Sequence, residues 1–198
     1  MLFKGDSMPV KKTITKNMII DNAISLIETD GFDSINARSI ANKLKCSTQP
    51  IYLSFQNMNE LKKEVLQEAW KRYFQYINSN IQKEGSLYMN SLTSYINFAR
   101  NHKHLFELLF FKTKYIRSQE AIEHEESIIL GIMQHGNYSY QNAKLFYLQS
   151  FLFAHGIACQ IVTGFNEYTE KEVNELLEEN FKTLKNQYGN KNGSNQNN

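Results

Sequence analysis

Apolar residues recur at helical spacing along almost the whole 198-residue chain, and the alternation typical of strands is nearly absent. In the segment 16–32, KNMIIDNAISLIETDGF, Ile20, Ala23, Ile24 and Ile27 follow i, i+3, i+4, i+7, with Gly31 placed as a left-handed cap. After a polar start at Ser34 to Asn36, Ile40, Ala41 and Leu44 repeat the pattern. Cys46 and Ser47 interrupt it, and Ile51, Tyr52 and Phe55 resume it. The spacing predicts two short helices joined by a tight turn. Isolated helices shorter than about 12–15 residues are marginal in water, so both must pack on the helix before them.

A single long helix is predicted from Leu61 to about Gln82, carrying Leu66, Trp70, Tyr73, Phe74 and Ile77, and Gly85-Ser86 ends it. Further helices are predicted from Leu87 to Asn101, over the very apolar HKHLFELLFFK, and from Ser118 to Gly136. Ser139 caps a long apolar helix ending near Gly164. Thr169 and Glu172 form a T-x-x-E capping box for the last one, with Val173, Leu177, Phe181, Leu184 and Tyr188 along one stripe. The fold class is all-α: an N-terminal three-helix helix-turn-helix module joined by a long helix to a C-terminal helical bundle.

The second short helix carries the chemistry. Ser47 suits its N-cap, and Pro50 falls in the first turn, where a missing N–H costs no intrahelical bond. Thr48 and Gln49 then project from its N-terminal end. In a major groove Gln can meet adenine in bidentate fashion, and the Thr methyl can touch a thymine methyl. Ser47, Tyr52 and Ser54 are expected at phosphates, with Lys62. Asn57 and Glu60 form an N-x-x-E start for the next helix, whose N–H groups are expected to bind a phosphate.

Over about Ile14 to Leu66 the chain resembles the tetracycline-repressor (TetR) family of bacterial transcriptional regulators. The likeness rests on Ile27 to Gly31, Ile40-Ala41, Cys46-Ser47, Ile51-Tyr52, Phe55, Met58 and Leu61. Three positions depart from the family pattern. Lys45 stands where the turn usually has Gly, so a non-Gly residue is expected in a left-handed conformation at a cost of roughly 1–2 kcal/mol. Met58 replaces a Lys that opens the fourth helix, with Lys62 and Lys63 one turn on as substitutes. Ser54 replaces a frequent His. Beyond Leu66 the likeness is one of architecture.

That resemblance implies a homodimer pairing its last two helices as a four-helix bundle, with Val173, Leu177, Phe181 and Leu184 as interface candidates. It also implies a palindromic double-stranded DNA operator and a small-molecule ligand that releases a repressor. A member of the same fold that activates, or that answers to a protein partner, is the alternative. The organisation expected is a basic arm over 1–12, the DNA-binding domain over 13–61, a ligand-binding and dimerisation domain over 62–188, and a polar tail over 189–198.

Charge fits this division. The whole chain is only +2, but residues 1–63 hold nine Lys and Arg against six Asp and Glu, and the remainder holds thirteen against fourteen. The positive excess falls on the module that would meet phosphate. Two cysteines far apart, Cys46 and Cys159, suit reduced thiols, and the N-terminal segment has no apolar core of signal-peptide length, so a cytoplasmic protein is expected. The tract from Leu145 to Phe165 approaches membrane-spanning length, but Gln149, Ser150, His155, Gln160 and Thr163 interrupt it, and a buried core helix without membrane contact is expected.

No catalytic residue, metal ligand or cofactor is assigned. Gly-rich phosphate loops, G-x-S-x-G, H-E-x-x-H and Cys clusters are all missing from the sequence. The polar run of His102, His104, Glu107, Glu120, Glu123, His124, Glu125 and Glu126 lacks the paired E-x-x-H motifs of a di-iron bundle and fits a solvated face. A helical-bundle enzyme or metal protein is the rival from another class. Trp70, Phe74, Phe98, Phe106, Phe110, Phe146, Phe151 and His155 are candidates to line an apolar ligand pocket, and each also fits ordinary core. Arg100, His102, Arg117 and Gln149 are its polar candidates.

Overall fold

A computed structural model describes residues 13–80, 86–113 and 119–189. The described residues are helical throughout, in the order α1 (Lys16–Asp30), a 3-10 turn (Phe32–Ser34), α2 (Ala37–Leu44), α3 (Gln49–Ser54), α4 (Met58–Asn80), α5 (Leu87–Asn101), α6 (Lys103–Glu107), a π turn (Leu108–Lys112), α7 (Gln119–Gly136), α8 (Tyr140–Thr163) and α9 (Glu170–Tyr188). The chain divides into two compact units between Glu68 and Ala69, within α4 and seven residues beyond the boundary expected at 61. Arg117, Ser118, the basic arm and all of the polar tail after Gly189 lie outside the described residues.

In the first unit, α1 packs against α2 and α3. Its buried stripe is Ile19, Ala23, Ile24 and Ile27, so Ile19 takes the inward place expected of Ile20. Gly31 does have positive φ, at 79°, but its ψ of 171° lies outside the left-handed helical region, in a conformation open essentially to glycine alone. Ile35, Ile40, Ile51, Phe55, Leu61 and Val65 complete the core. Neither α2 nor α3 exceeds eight residues, so burial of these side chains, at roughly 1.5–3 kcal/mol each, sustains what propensity could not.

The second unit is built around α8, which packs against α5, α6, α7 and α9. Ser139 caps α8 by accepting from the Asn142 N–H, and Gly164 ends it in the left-handed conformation. The Thr169–Glu172 capping box forms in both directions. By length and composition α8 could cross a membrane; Ala143, Phe146, Ser150, Ala154, Ile157, Ala158 and Val162 are buried inside the unit, but only a third of the apolar stretch is, so α8 is covered on part of its circumference rather than all round.

Candidate functional site

The turn before α3 is fixed by backbone bonds at its two ends. Asn36 opens α2, its side-chain oxygen accepting from the N–H groups of Arg38 at 3.0 Å and Ser39 at 2.9 Å, while Ser39 Oγ accepts from the Asn36 N–H. The helix ends at Lys45, with φ 53° and ψ 48°, the left-handed residue expected there. The Cys46 N–H donates to the Ala41 carbonyl and the Lys45 N–H to the Asn42 carbonyl, the paired bonds of a Schellman ending. The chain is thereby turned into α3 within four residues.

Helix α3 begins one residue later than expected. Thr48 precedes it with helical backbone angles, φ −72° and ψ −13°, and no side-chain bond caps this end of the helix. Pro50 lies in the first turn, where its missing N–H gives up no intrahelical bond and leaves one donor fewer for a cap hydroxyl. Only Ile51 of α3 is buried. Ser47 and Gln49 are exposed and Thr48 is half-buried. Tyr52 is 56% and Leu53 79% exposed. Exposed Arg38, Lys43, Lys45 and Lys63 share this unit and have no ion pair among the described residues.

Three backbone-contact expectations change. Lys62 is half-buried with its ammonium 5.3 Å from the centre of the Phe32 ring, so Lys63 is the freer cation. Ser54 donates to the Pro50 carbonyl at 2.9 Å, which spends its only proton inside the helix. At the start of α4 the Asn57 side chain already accepts from the Asn59 and Glu60 N–H groups, and the Glu60 carboxylate accepts from the Gln56 N–H at 2.7 Å. The box closes one residue earlier than the N-x-x-E pattern implies. It also puts a negative charge where a phosphate was expected.

The second unit gathers most of the aromatic candidates. Trp70 lies 5.5 Å from Phe110 and 6.0 Å from Phe74 between ring centres, Phe106 lies 4.6 Å from Phe110, and Phe151 stacks on His155 at 6.0 Å. Tyr73 and Tyr95, which sequence reasoning did not select, tie these rings together. Trp70, Tyr73, Phe74, Phe110, Phe151 and His155 all remain half-buried. Phe98 instead packs with Tyr76 and His102 as well as Tyr73. Phe146 belongs to a different core, with Tyr88, Tyr138 and Phe181, and drops out of the candidate lining.

Polar groups in this unit are held in specific bonds. Tyr95 Oη lies 2.6 Å from His155 Nδ1, and His155 Nε2 lies 3.4 Å from Cys159 Sγ. Burial pushes the Tyr95 phenol far above its usual range, lowers His155 and raises the Cys159 thiol, so all three stay uncharged at neutral pH. Two other candidates serve structure: Arg100 donates to the Tyr168 carbonyl at 2.8 Å, and Gln149 donates to Tyr188 Oη at 2.5 Å. His102 forms the joint between α5 and α6. No group of three or more His, Cys, Asp or Glu placed to hold a metal occurs among the described residues.

The stripe on α9 points inward. Val173, Leu177 and Leu184 are buried, and Phe181 is half-buried against the ring of Phe146. These four residues fill the unit's own core, which corrects their expected place at an interface. Apolar side chains of the unit that are exposed include Leu145, Leu148 and Leu152 on α8, at 43%, 47% and 57%, and Leu176 on α9, besides Phe111, Ile122, Leu130, Tyr140 and Phe165.

Among solved structures, a TetR-like transcriptional regulator from Rhodococcus sp. RHA1 aligns over 87% of this chain and 96% of its own, with a TM-score of 0.60 at 17% identity. The chain has the fold of the TetR-family regulators. The same TetR-family fold is met in a TetR variant from Acinetobacter baumannii AYE in complex with minocycline, at TM-score 0.58 and 14% identity over 93% of this chain and 100% of that one. A curated relative, the negative transcriptional regulator IcaR of the biofilm operon icaADBC in Staphylococcus aureus, is 30% identical over 103 residues, 52% of this chain. The chain spans about half the length of the curated relatives it matches. No family model matches the sequence.

Proposed function

We propose that this chain is a cytoplasmic transcriptional regulator, a homodimer that represses from a palindromic DNA operator and is released by a small molecule. The observation that carries the reading is α3: a six-residue helix held by one buried side chain, with Gln49, Tyr52 and Leu53 turned to solvent beside an excess of positive charge. A helix so exposed gains little from its own protein and is shaped to enter a major groove. Gln49 and Thr48 read base edges, Tyr52 and Ser47 meet the backbone, and Lys63 takes the phosphate role first given to Lys62.

Dimerisation uses the exposed leucines of α8 and Leu176 of α9. The IcaR likeness supports the repressor reading, and the minocycline complex of a protein sharing the fold supports a small-molecule ligand. Release follows if the ligand binds one dimer conformation more tightly than the other, since equal affinity shifts nothing.

Selection from random duplex DNA with the full chain, followed by gel shifts, tests this. A palindrome with half-sites about 10 base pairs or a simple multiple apart is expected. Thr48→Ala and Gln49→Ala relax preference at their positions by roughly 1–3 kcal/mol per lost contact. Selection that enriches no sequence, with binding insensitive to salt, overturns the proposal.

A further inference from the structure

The chain Tyr95–His155–Cys159 ends on an ill-matched partner. Tyr95 is almost fully buried, and its hydroxyl has His155 Nδ1 as partner at 2.6 Å. Two proton arrangements satisfy the distances. If Nδ1 carried the proton, the buried Tyr95 O–H would lose its acceptor, whereas with the proton on Nε2 the group left over is the thiol S–H, a far weaker donor. His155 is therefore the Nε2–H tautomer, accepting from Tyr95 and pointing its N–H at Cys159 Sγ, 3.4 Å away on the next turn of α8. Thiol sulfur is a weak acceptor.

This under-used donor sits in an aromatic enclosure. The His155 ring has Phe151 stacked at 6.0 Å with an 18° interplanar angle, and Phe106 and Phe110 lie at 6.0 and 6.1 Å. Phe110 in turn meets Trp70 and Tyr73. The π turn at Leu108–Lys112 carries Phe110 to this group, and His155 stays half-buried. Half-buried rings offer faces for stacking, and a fixed N–H among them offers one directional contact.

We infer that the second unit binds a planar aromatic molecule carrying a hydrogen-bond acceptor, which stacks among Trp70, Phe110 and Phe151 and takes the His155 Nε2–H in place of Cys159 Sγ. This rests on the reading of that unit as the ligand-binding part. Tyr95 is a positioning residue: it fixes the tautomer and touches no ligand.

Quinoline and naphthalene, equal in shape but differing in one ring nitrogen, are the probes. Trp70 is the only tryptophan, so the full-length chain gives a single indole N–H signal in nitrogen–proton spectra, and histidine ring nitrogens report the tautomer directly. The free protein is expected to show His155 protonated on Nε2. Quinoline is expected to shift both the Trp70 and His155 signals and to bind roughly tenfold tighter than naphthalene, the worth of one hydrogen bond. His155→Phe keeps the stack and erases that preference, leaving naphthalene unchanged. If that variant fails to fold, the quinoline-to-naphthalene ratio and the His155 signal of the unmodified protein decide alone. Equal affinity for the two probes, or His155 protonated on Nδ1, overturns the inference while ligand binding stands. No response of Trp70 to either probe overturns both.

Discussion

Replacing Lys45 by glycine should make the protein more stable and a weaker DNA binder at once. Lys45 sits at φ 53° and ψ 48°, where an L side chain is disfavoured by about 1–2 kcal/mol. Glycine removes that cost, but it has more freedom to lose on folding, worth about 0.5–1 kcal/mol in the other direction. The side chain is exposed, so no packing is given up. The net is a gain of about 0.5–1 kcal/mol, or a rise of roughly 1–4 °C in Tm for a chain of this length. Urea unfolding should show a higher midpoint with an unchanged slope. Lys45→Ala, which keeps the β-carbon, should show no such gain. The exposed Lys45 ammonium, just ahead of α3, is expected at a phosphate, and its loss lowers the slope of log affinity against log salt on the selected operator by up to about 0.9. A Lys45→Gly protein less stable than the parent, or a glycine and an alanine variant of equal stability, would refute the assignment of strain to this turn.

Leu53, 79% exposed on α3, is placed to touch a thymine methyl besides the one given to Thr48. Leu53→Ala should therefore lower operator affinity, and deoxyuridine in place of single thymidines should cost the parent protein affinity at one position but leave the variant unaffected there. Equal losses in both proteins remove Leu53 from the thymine methyl. Leu152→Glu, or Leu148→Glu, should shift sedimentation towards monomer while circular dichroism holds and the unfolding midpoint loses its dependence on protein concentration; an intact dimer in both moves the interface off α8. Glu172 accepts from the backbone N–H and hydroxyl of Thr169, which holds its carboxyl below the usual glutamate value of about 4.5. Its contribution is complete above that value and lost as pH falls through the lower folded value. The urea-midpoint gap between the parent and Glu172→Gln should therefore be constant near neutrality and narrow below about pH 4.5. A gap that widens on acidification refutes this direction.

Local rules carried the reading of the fold. Ser139, the Thr169–Glu172 box and the bounds of α5 follow from interactions within a few residues, and all are present; the left-handed Lys45, also present, follows from the family's glycine at that turn. The errors arose where a distant partner decided. Ile19 and Ile20 are equally apolar, and only the direction of the neighbouring helices selects the first. The place of Lys62 one turn into α4, where the resemblance implies a phosphate contact, carries no mark of its engagement with Phe32, thirty residues away. Tyr95 escaped notice because its role depends on His155, sixty residues on. Leu53 is different: it was legible, since Ile51 and Phe55 face the core and residue 53 lies between them on the opposite side.

The reassignment on α8 follows from the same geometry. At 100° per residue, buried Ala143, Phe146, Ser150, Ala154 and Ile157 cluster about one direction, and exposed Leu145, Leu148, Leu152 and Gly156 cluster about 180° away. The helix is apolar on two opposite faces, and its own unit covers only one. A Cβ placed at Gly156 would meet nothing, so the second face is open along its length. The α9 stripe has one apolar face, and it is already used. A charge at Leu177 would thus break the core and dissociate any dimer through unfolding, whereas a charge at Leu152 touches only the open face. Dissociation without loss of the fold is the signature that separates an interface from a core.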